Sequence, residues 1–264
     1  MPETDIRAVI FDMGGTLEDI YYDDALRLKA TRGIQAILAC HGLDARMDVP
    51  HLYKTIMAGI QAYQEWRETS EVELPPARVW GDYVFRDQGF PADRLAEISE
   101  KLAFYYDTHF FARTLRPEVP ETLKRLKEGG YRLGVISNVT SLGQVPHSLR
   151  SYGLEDAFDV VVTSSQLGCR KPNPRIFWEA SRQLDLPPAA CAYVGDTVSR
   201  DVVGARRAGY GLAIQIKSFL TSISDREIDV EAPDAVITNL KEVIDLVAPE
   251  LVGATAETKS DSPQ

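Results

Sequence analysis

The chain has no cysteine pair, no excess of basic charge and no long hydrophobic run. Cys40, Cys169 and Cys191 are odd in number and widely spaced, with no CxxC, so they read as free core thiols in a reducing compartment. A formal net charge of -10 argues against nucleic acid as the main partner, because a phosphate backbone needs clustered Lys and Arg. It leaves room for a small anion at a local basic spot. The N-terminal "MPETDIR" is polar and acidic, and no stretch is apolar enough for a signal peptide or a membrane span. The expectation is a cytoplasmic protein with no membrane and no nucleic-acid partner. The sequence does not fix whether it is a monomer or a homodimer.

One further absence is local. In "FDMGGTL", Asp12 follows the apolar run "AVI", where a strand runs out into a glycine turn. Two residues on, where a second carboxylate would make an acid/base pair, stands Gly14.

What is present is enough for a full core: 264 residues, 44% hydrophobic and 26% charged. From about Val119 onward, short β-rich runs alternate with helical segments: "YRLGVIS", "FDVVVTS", "CAYVG", "GLAIQI" and "DAVI". With "RAVIFD" as the first strand, this alternation predicts an α/β fold with a Rossmann-like parallel sheet. Residues 21–113 carry helical periodicity instead, in about four segments, and read as an inserted all-helical cap domain. The expected division is 1–20 with 114–252 as the α/β core, 21–113 as the cap and 253–264 as a disordered polar tail.

Ligands of open α/β sheets bind outside the carboxyl ends of the strands. There the chain offers Asp12, Ser137 and Asn138 of "VISN", Lys171 of "CRKPNP", and Asp196 and Asp201 of "GDTVSRD". Three converging carboxylates repel one another unless a cation lies between them, and a hard, oxygen-preferring Mg²⁺ suits them. The Ser137 hydroxyl and the Lys171 ammonium supply donors and positive charge for a phosphoryl group. The amides of the "GGT" turn can add a cradle for the same anion. Singly, each is an ordinary cap, turn or packing residue; the order, each after a strand of one sheet, carries the signal.

These four stretches resemble the motifs of the haloacid dehalogenase-like superfamily, over nearly all of the chain except the tail. "DMGGTLED" is similar to its first motif at Asp12, Gly15, Thr16, Leu17 and Asp19; "VIS", "KP" and "GDTVSRD" match the other three. The resemblance implies a helical cap between the first and second motifs. It also implies that Asp12 is a nucleophile forming an aspartyl-phosphate. Mg²⁺ would be held by Asp12, the backbone carbonyl of Gly14, Asp196 and Asp201. Thr16, Ser137, Asn138 and Lys171 would bind a small phosphorylated metabolite, with Lys171 offsetting the charge of Asp12.

The sequence departs from that pattern at Gly14, since in family phosphatases the carboxylate there protonates the leaving alcohol. General acid/base catalysis is worth about 10²–10⁴-fold, so its loss implies a slow or atypical phosphatase. Glu18, close by in sequence, is a candidate substitute, whereas Asp19 reads as stabilising the loop. A second reading is a phosphonoacetaldehyde hydrolase-like C–P bond hydrolase, with cap Lys54 forming a Schiff base. A third is a weakly active or inactive domain that binds a phosphorylated ligand or a protein. A dehalogenase is disfavoured because Asp196 and Asp201 point to a metal. His51, Lys54, Trp66, Arg67, Trp80 and Arg86 are candidates to line the cap side of the site.

Overall fold

The computed structural model describes residues 5–218, 221 and 232–249. The expected tail over 253–264 lies outside them. Strands β1 (Ala8–Phe11) and β2 (Glu18–Tyr21) are followed by helices α1 (Asp24–Cys40), α2 (Val49–Ser70), α3 (Pro76–Arg78) and α4 (Ala92–His109). The chain then alternates: β3 (Ala112–Leu115), α5 (Val119–Glu128), β4 (Arg132–Ser137), α6 (Gln144–Ser151), β5 (Val160–Thr163), α7 (Ser164–Leu167), α8 (Pro174–Gln183) and β6 (Cys191–Gly195). It closes with α9 (Val203–Ala208), β7 (Leu212–Ile216), β8 (Ala235–Ile237) and α10 (Glu242–Val247).

Six strands form one parallel sheet in the order β5-β4-β1-β6-β7-β8. This is the expected α/β, Rossmann-like arrangement. All four residues of β1 are buried, as a central parallel strand covered on both faces requires. One face packs Val9, Phe11, Leu133 and Val135 against α5 and α10 through Leu123, Leu126, Val243 and Ile244. The other packs Ala8, Ile10 and Tyr193 against Ile176, Phe177 and Ala205 of α8 and α9.

The helices between β2 and β3 enclose a core of their own, including Ile34, Leu52, Ile56, Trp80, Leu102 and Phe110. In α1 the buried positions Ala30, Ile34 and Leu38 recur every fourth residue, the spacing of one helix face. Fully burying a side chain the size of Ile34 or Leu38 contributes roughly 1.5–3 kcal/mol. Asp23 starts α1 by accepting from the Leu26 amide at 2.7 Å, and Asp48 starts α2 by accepting from the His51 amide at 2.9 Å.

The sequence did not announce the strands that lead into and out of this helical cap. β2 and β3 pair antiparallel, with Ile20 opposite Arg113, so a two-strand ribbon crosses both expected junctions at 20/21 and 113/114. Each strand is four residues long and lacks a hairpin turn to its partner, so no local pattern marks it.

Candidate active site

Sheet order brings the motifs together. β1 lies between β4 and β6, with Phe11 level with Val135 and Val194. Asp12, Ser137 and Asp196 therefore leave the same edge of three adjacent strands. The Asp12 amide donates to the Val194 carbonyl at 2.9 Å, which fixes the start of the turn. Gly15 adopts φ +88°, and a β-carbon there would run into the Asp196 carboxylate, so only glycine fits.

Carboxylate oxygens of Asp12, Asp196 and Asp201 lie within 4.8 Å of one another, and all three residues are buried. Lys171 Nζ stands 2.7 Å from Asp12 Oδ1 and 2.8 Å from Asp201 Oδ1, and it also donates to the Tyr193 hydroxyl at 2.9 Å. Burial pushes the Asp12 carboxyl up to about 6, despite the Lys171 charge that pulls it down. Burial and the charges of Asp201 and Asp12 push Asp196 up to about 7. Burial works against ionised Asp201 too, but the charge and hydrogen bond of Lys171 and the Thr197 hydroxyl hold it below its ordinary value. Burial likewise disfavours a charged Lys171, yet Asp12 and Asp201 outweigh it and hold the ammonium's pKa above its ordinary value. One ammonium thus faces three buried acids, and burial with mutual repulsion raises two of them. An all-oxygen, electron-rich cluster of this kind fits a hard divalent cation.

The sequence-predicted residues do not all sit alike. Ser137 lines the cavity beside Asp12 and Lys171. Asn138 also borders it, but its side-chain amide is paired with the backbone of Lys171: Nδ2 donates to the Lys171 carbonyl at 3.1 Å and Oδ1 accepts the Lys171 amide at 2.9 Å. That clamp positions the lysine. Asp201 spends Oδ1 on Lys171 and Tyr193 and Oδ2 on the amide and hydroxyl of Thr197. Thr16 is fully buried, its hydroxyl has no hydrogen-bond partner among the described residues, and it is not part of the cavity wall. The proposed amide cradle also changes: the Gly15 and Thr16 amides donate to the Glu18 and Met13 carbonyls and so shape the turn itself.

Two sequence readings are corrected. Glu18 is fully buried, with one oxygen 2.7 Å from Arg113 Nη1 and the other accepting from the Tyr152 hydroxyl at 3.0 Å; it lies off the cavity and is no substitute acid. It sits on β2, whose alternation turns Glu18 inward and Asp19 outward to pair with Arg116 at 3.1 Å. Lys54 is exposed on α2 and does not reach the cavity, which Ile60, Gln64 and Arg67 of that helix line. The helix face that carries 60, 64 and 67 leaves position 54 pointing elsewhere. Of the other cap candidates, only Arg67 reaches the cavity: Trp80 is buried in the cap core, His51 pairs with Asp48, and Arg86 bonds the Asp82 carbonyl.

The cavity, about 260 Å³, lies between cap and sheet edge. Its walls hold residues the sequence reading did not single out, among them Arg27, Asp107, Arg113, Arg170 and Arg200. Asp107, near the end of α4, is buried and accepts from the Ser141 amide at 2.9 Å. Burial pushes its carboxyl up to about 6. Arg170 and Arg200 lie inside the "CRKPNP" and "GDTVSRD" stretches, whereas Arg27, Asp107 and Arg113 belong to no short motif and join them through the docking of cap on core. That docking is polar: Glu73 takes hydrogen bonds from Tyr63 at 2.5 Å, Ser164 at 2.8 Å and Arg170, and Glu100 holds the Ser141 hydroxyl at 2.7 Å.

Residues 6–209 match the family model described as a hydrolase, haloacid dehalogenase-like hydrolase. A curated relative named glyceraldehyde 3-phosphate phosphatase, from Methanopyrus kandleri, is 29% identical over 92% of this chain and 97% of its own. A crystal structure of a HAD phosphatase from Thermococcus onnurineus superposes with a TM-score of 0.60 at 21% identity, over 92% of this chain and 98% of the other. A 2-haloacid dehalogenase structure from Pseudomonas syringae pv. Tomato superposes with a TM-score of 0.61 at 25% identity, over 95% and 99%. The fold is therefore shared by two chemistries, and the site has to separate them. Among the described residues no helix is long and apolar enough to cross a membrane.

Proposed function

The chain belongs to the haloacid dehalogenase-like hydrolase family, and on that footing we propose that it is a Mg²⁺-dependent phosphatase of a small phosphorylated metabolite. The observation that carries this reading is the buried cluster of Asp12, Asp196 and Asp201 with Lys171 bridging two of them. Displacement of a halide from carbon calls for no cation, whereas phosphoryl transfer needs charge neutralised at the transferring group. The relative named as a glyceraldehyde 3-phosphate phosphatase supports a small sugar phosphate as the substrate class.

In this reading Asp12 attacks phosphorus. The bond from phosphorus to the leaving oxygen breaks, and an aspartyl-phosphate forms that water then hydrolyses. Lys171 holds the Asp12 carboxylate in place and offsets its charge. The Ser137 hydroxyl donates to a phosphoryl oxygen. Asp12, the Gly14 carbonyl and Asp196 would hold the Mg²⁺, which supplies Lewis-acid charge compensation for the phosphoryl oxygens when bound. Asp201, with both oxygens engaged, fits contact through water and the positioning of Lys171.

Gly14 leaves the proton to another group. Asp107 is the cavity-lining carboxyl, among the described residues, that belongs neither to the nucleophile nor to the cation cluster. A carboxyl held near 6 by burial can both donate and accept a proton close to neutral pH. We assign it the proton transfer.

Phosphate release from glyceraldehyde 3-phosphate and a panel of sugar phosphates, with and without Mg²⁺, tests the proposal. The expected result is Mg²⁺-dependent turnover abolished by Asp12→Asn. No release from any ester at high enzyme concentration would overturn it.

A further inference from the structure

Six cationic side chains line the cavity: Arg27, Arg67, Arg113, Arg170, Lys171 and Arg200. Four are matched by acids. Arg113 pairs with Glu18 at 2.7 Å, Arg170 with Glu73, Lys171 with Asp12 and Asp201, and Arg200 approaches Glu68 at 3.7 Å. Arg27 and Arg67 have no ion pair among the described residues. Their Nε atoms are buried and without a hydrogen-bond partner.

Both arginines are held from below by aromatic rings. The Arg27 guanidinium lies 3.8 Å from the centroid of Tyr22 and 5.1 Å from that of Phe111; Arg67 lies 5.1 Å from that of Tyr63. A ring face satisfies the charge in part but accepts little from the N–H edge, which stays available for a planar or tetrahedral oxyanion. Arg27 comes from α1 and Arg67 from α2, so both approach from the cap, whereas Asp12, Lys171 and Ser137 approach from the sheet edge.

We propose that Arg27 and Arg67 form a subsite for a second anionic group, so that the substrate carries an oxyanion, carboxylate or phosphate, at the end remote from the phosphoryl group that is transferred. This deepens the phosphatase reading and rests on it for the substrate's first phosphate. A phosphate ester with a neutral tail would offer these guanidinium groups no ion pair: Arg27 lies beside the Tyr53 hydroxyl, and Arg67 shares the charge of Asp107 with Arg113. An anionic tail supplies the ion pair that both lack.

Binding to the Asp12→Asn protein in Mg²⁺, followed by calorimetry, tests the subsite without turnover. Glycerol 3-phosphate is the neutral-tailed probe, 3-phosphoglycerate carries a carboxylate and glycerol 1,3-bisphosphate a second phosphate. At least one anionic-tailed probe should bind tenfold or more tightly than glycerol 3-phosphate, and whichever gains more names the anion. Arg27→Gln and Arg67→Gln should each shrink that preference to threefold or less. Equal binding of all three probes by the Asp12→Asn protein overturns the subsite whatever the arginine variants do. Preferential binding with no phosphate released by the unsubstituted enzyme supports the subsite and removes the phosphatase reading, so the two fail separately.

Discussion

The terminal methyl of Ile20 lies 2.5 Å from where a β-carbon on Gly14 would stand. Ile20 projects from β2 into the volume that a side chain at position 14 would use, and Arg113 Nη1 lies 3.5 Å from the same point. The missing carboxylate is therefore not an empty notch waiting to be refilled. An aspartate there must displace Ile20 and then faces a guanidinium, which holds a carboxyl ionised and makes it a poor acid. Gly14→Asp should leave kcat within about threefold of the parent enzyme, since the new carboxylate makes a poor acid and so should not supply the roughly 10²–10⁴-fold of a working general acid. Phosphate release under saturating substrate checks this; a gain of tenfold or more would show that the acid alone was lacking.

Asp196 provides the test of the cation. Three buried acids against one ammonium leave the metal-free site under repulsion, so a divalent ion should raise the melting temperature. At one hundred times its dissociation constant a ligand contributes about 2.7 kcal/mol, which for a protein of this size corresponds to roughly 5–10 °C. Asp196→Asn should abolish most of the Mg²⁺-dependent rise while leaving the fold intact. Thermal melting with a Mg²⁺ titration reads both; an undiminished rise in the variant would take Asp196 out of the ligand set.

Much of this site was legible in the sequence because each motif is local. Asp12, Ser137, Lys171 and Asp196 stand at or soon after strand ends, and parallel order alone carries them to one edge. Glu18 and Lys54 misled for opposite reasons. Glu18 is near Gly14 along the chain, but strand alternation sends it to Arg113 and Tyr152. Lys54 sits on the correct helix, but on a face that the helix turns away from the cavity. Asp107 and Arg27 were not singled out because what brings them to the cavity is the docking of α1 and α4 on the sheet edge, which no local pattern encodes.

The joint between cap and core depends on Glu73. Its carboxylate, buried, holds Arg170, Ser164 and Tyr63 together next to Lys171, and the segment around it pairs with the core through the Val72–Cys169 bridge. Removing one partner of a buried pair leaves the other charge uncompensated, typically at a cost of about 3–5 kcal/mol. Glu73→Ala should therefore lower the melting temperature by roughly 6–20 °C. Because Arg170 precedes Lys171, kcat should fall as well. The double variant Glu73→Ala/Arg170→Met should recover part of the stability, a comparison that calorimetry can make; no recovery would mean that Glu73 acts through Tyr63 and Ser164.

Asp107 is the position where stability and chemistry should move in opposite directions. Its carboxyl is pushed up to about 6 mainly by burial. The Ser141 hydrogen bond and the charges of Arg113 and Arg67 pull it down, and Glu73 pushes it up. Below about pH 4 the folded and unfolded forms both hold the proton. Between about 4 and 6 the unfolded chain releases it first, so stability falls as pH rises, and above 6 the full penalty applies, on the order of 3 kcal/mol. Asp107→Asn keeps an acceptor for the Ser141 amide and removes the charge. The variant should melt several degrees higher than the parent at pH 8 and nearly equal to it at pH 4. The same substitution removes the proposed proton carrier, so kcat for an alkyl phosphate should drop by about 10²–10⁴-fold, and far less for p-nitrophenyl phosphate, whose leaving group needs no proton. A variant that is stabilised yet turns over alkyl phosphates at the parent rate would show that Asp107 only ties α4 to the loop at Ser141, and the proton would have to come from water.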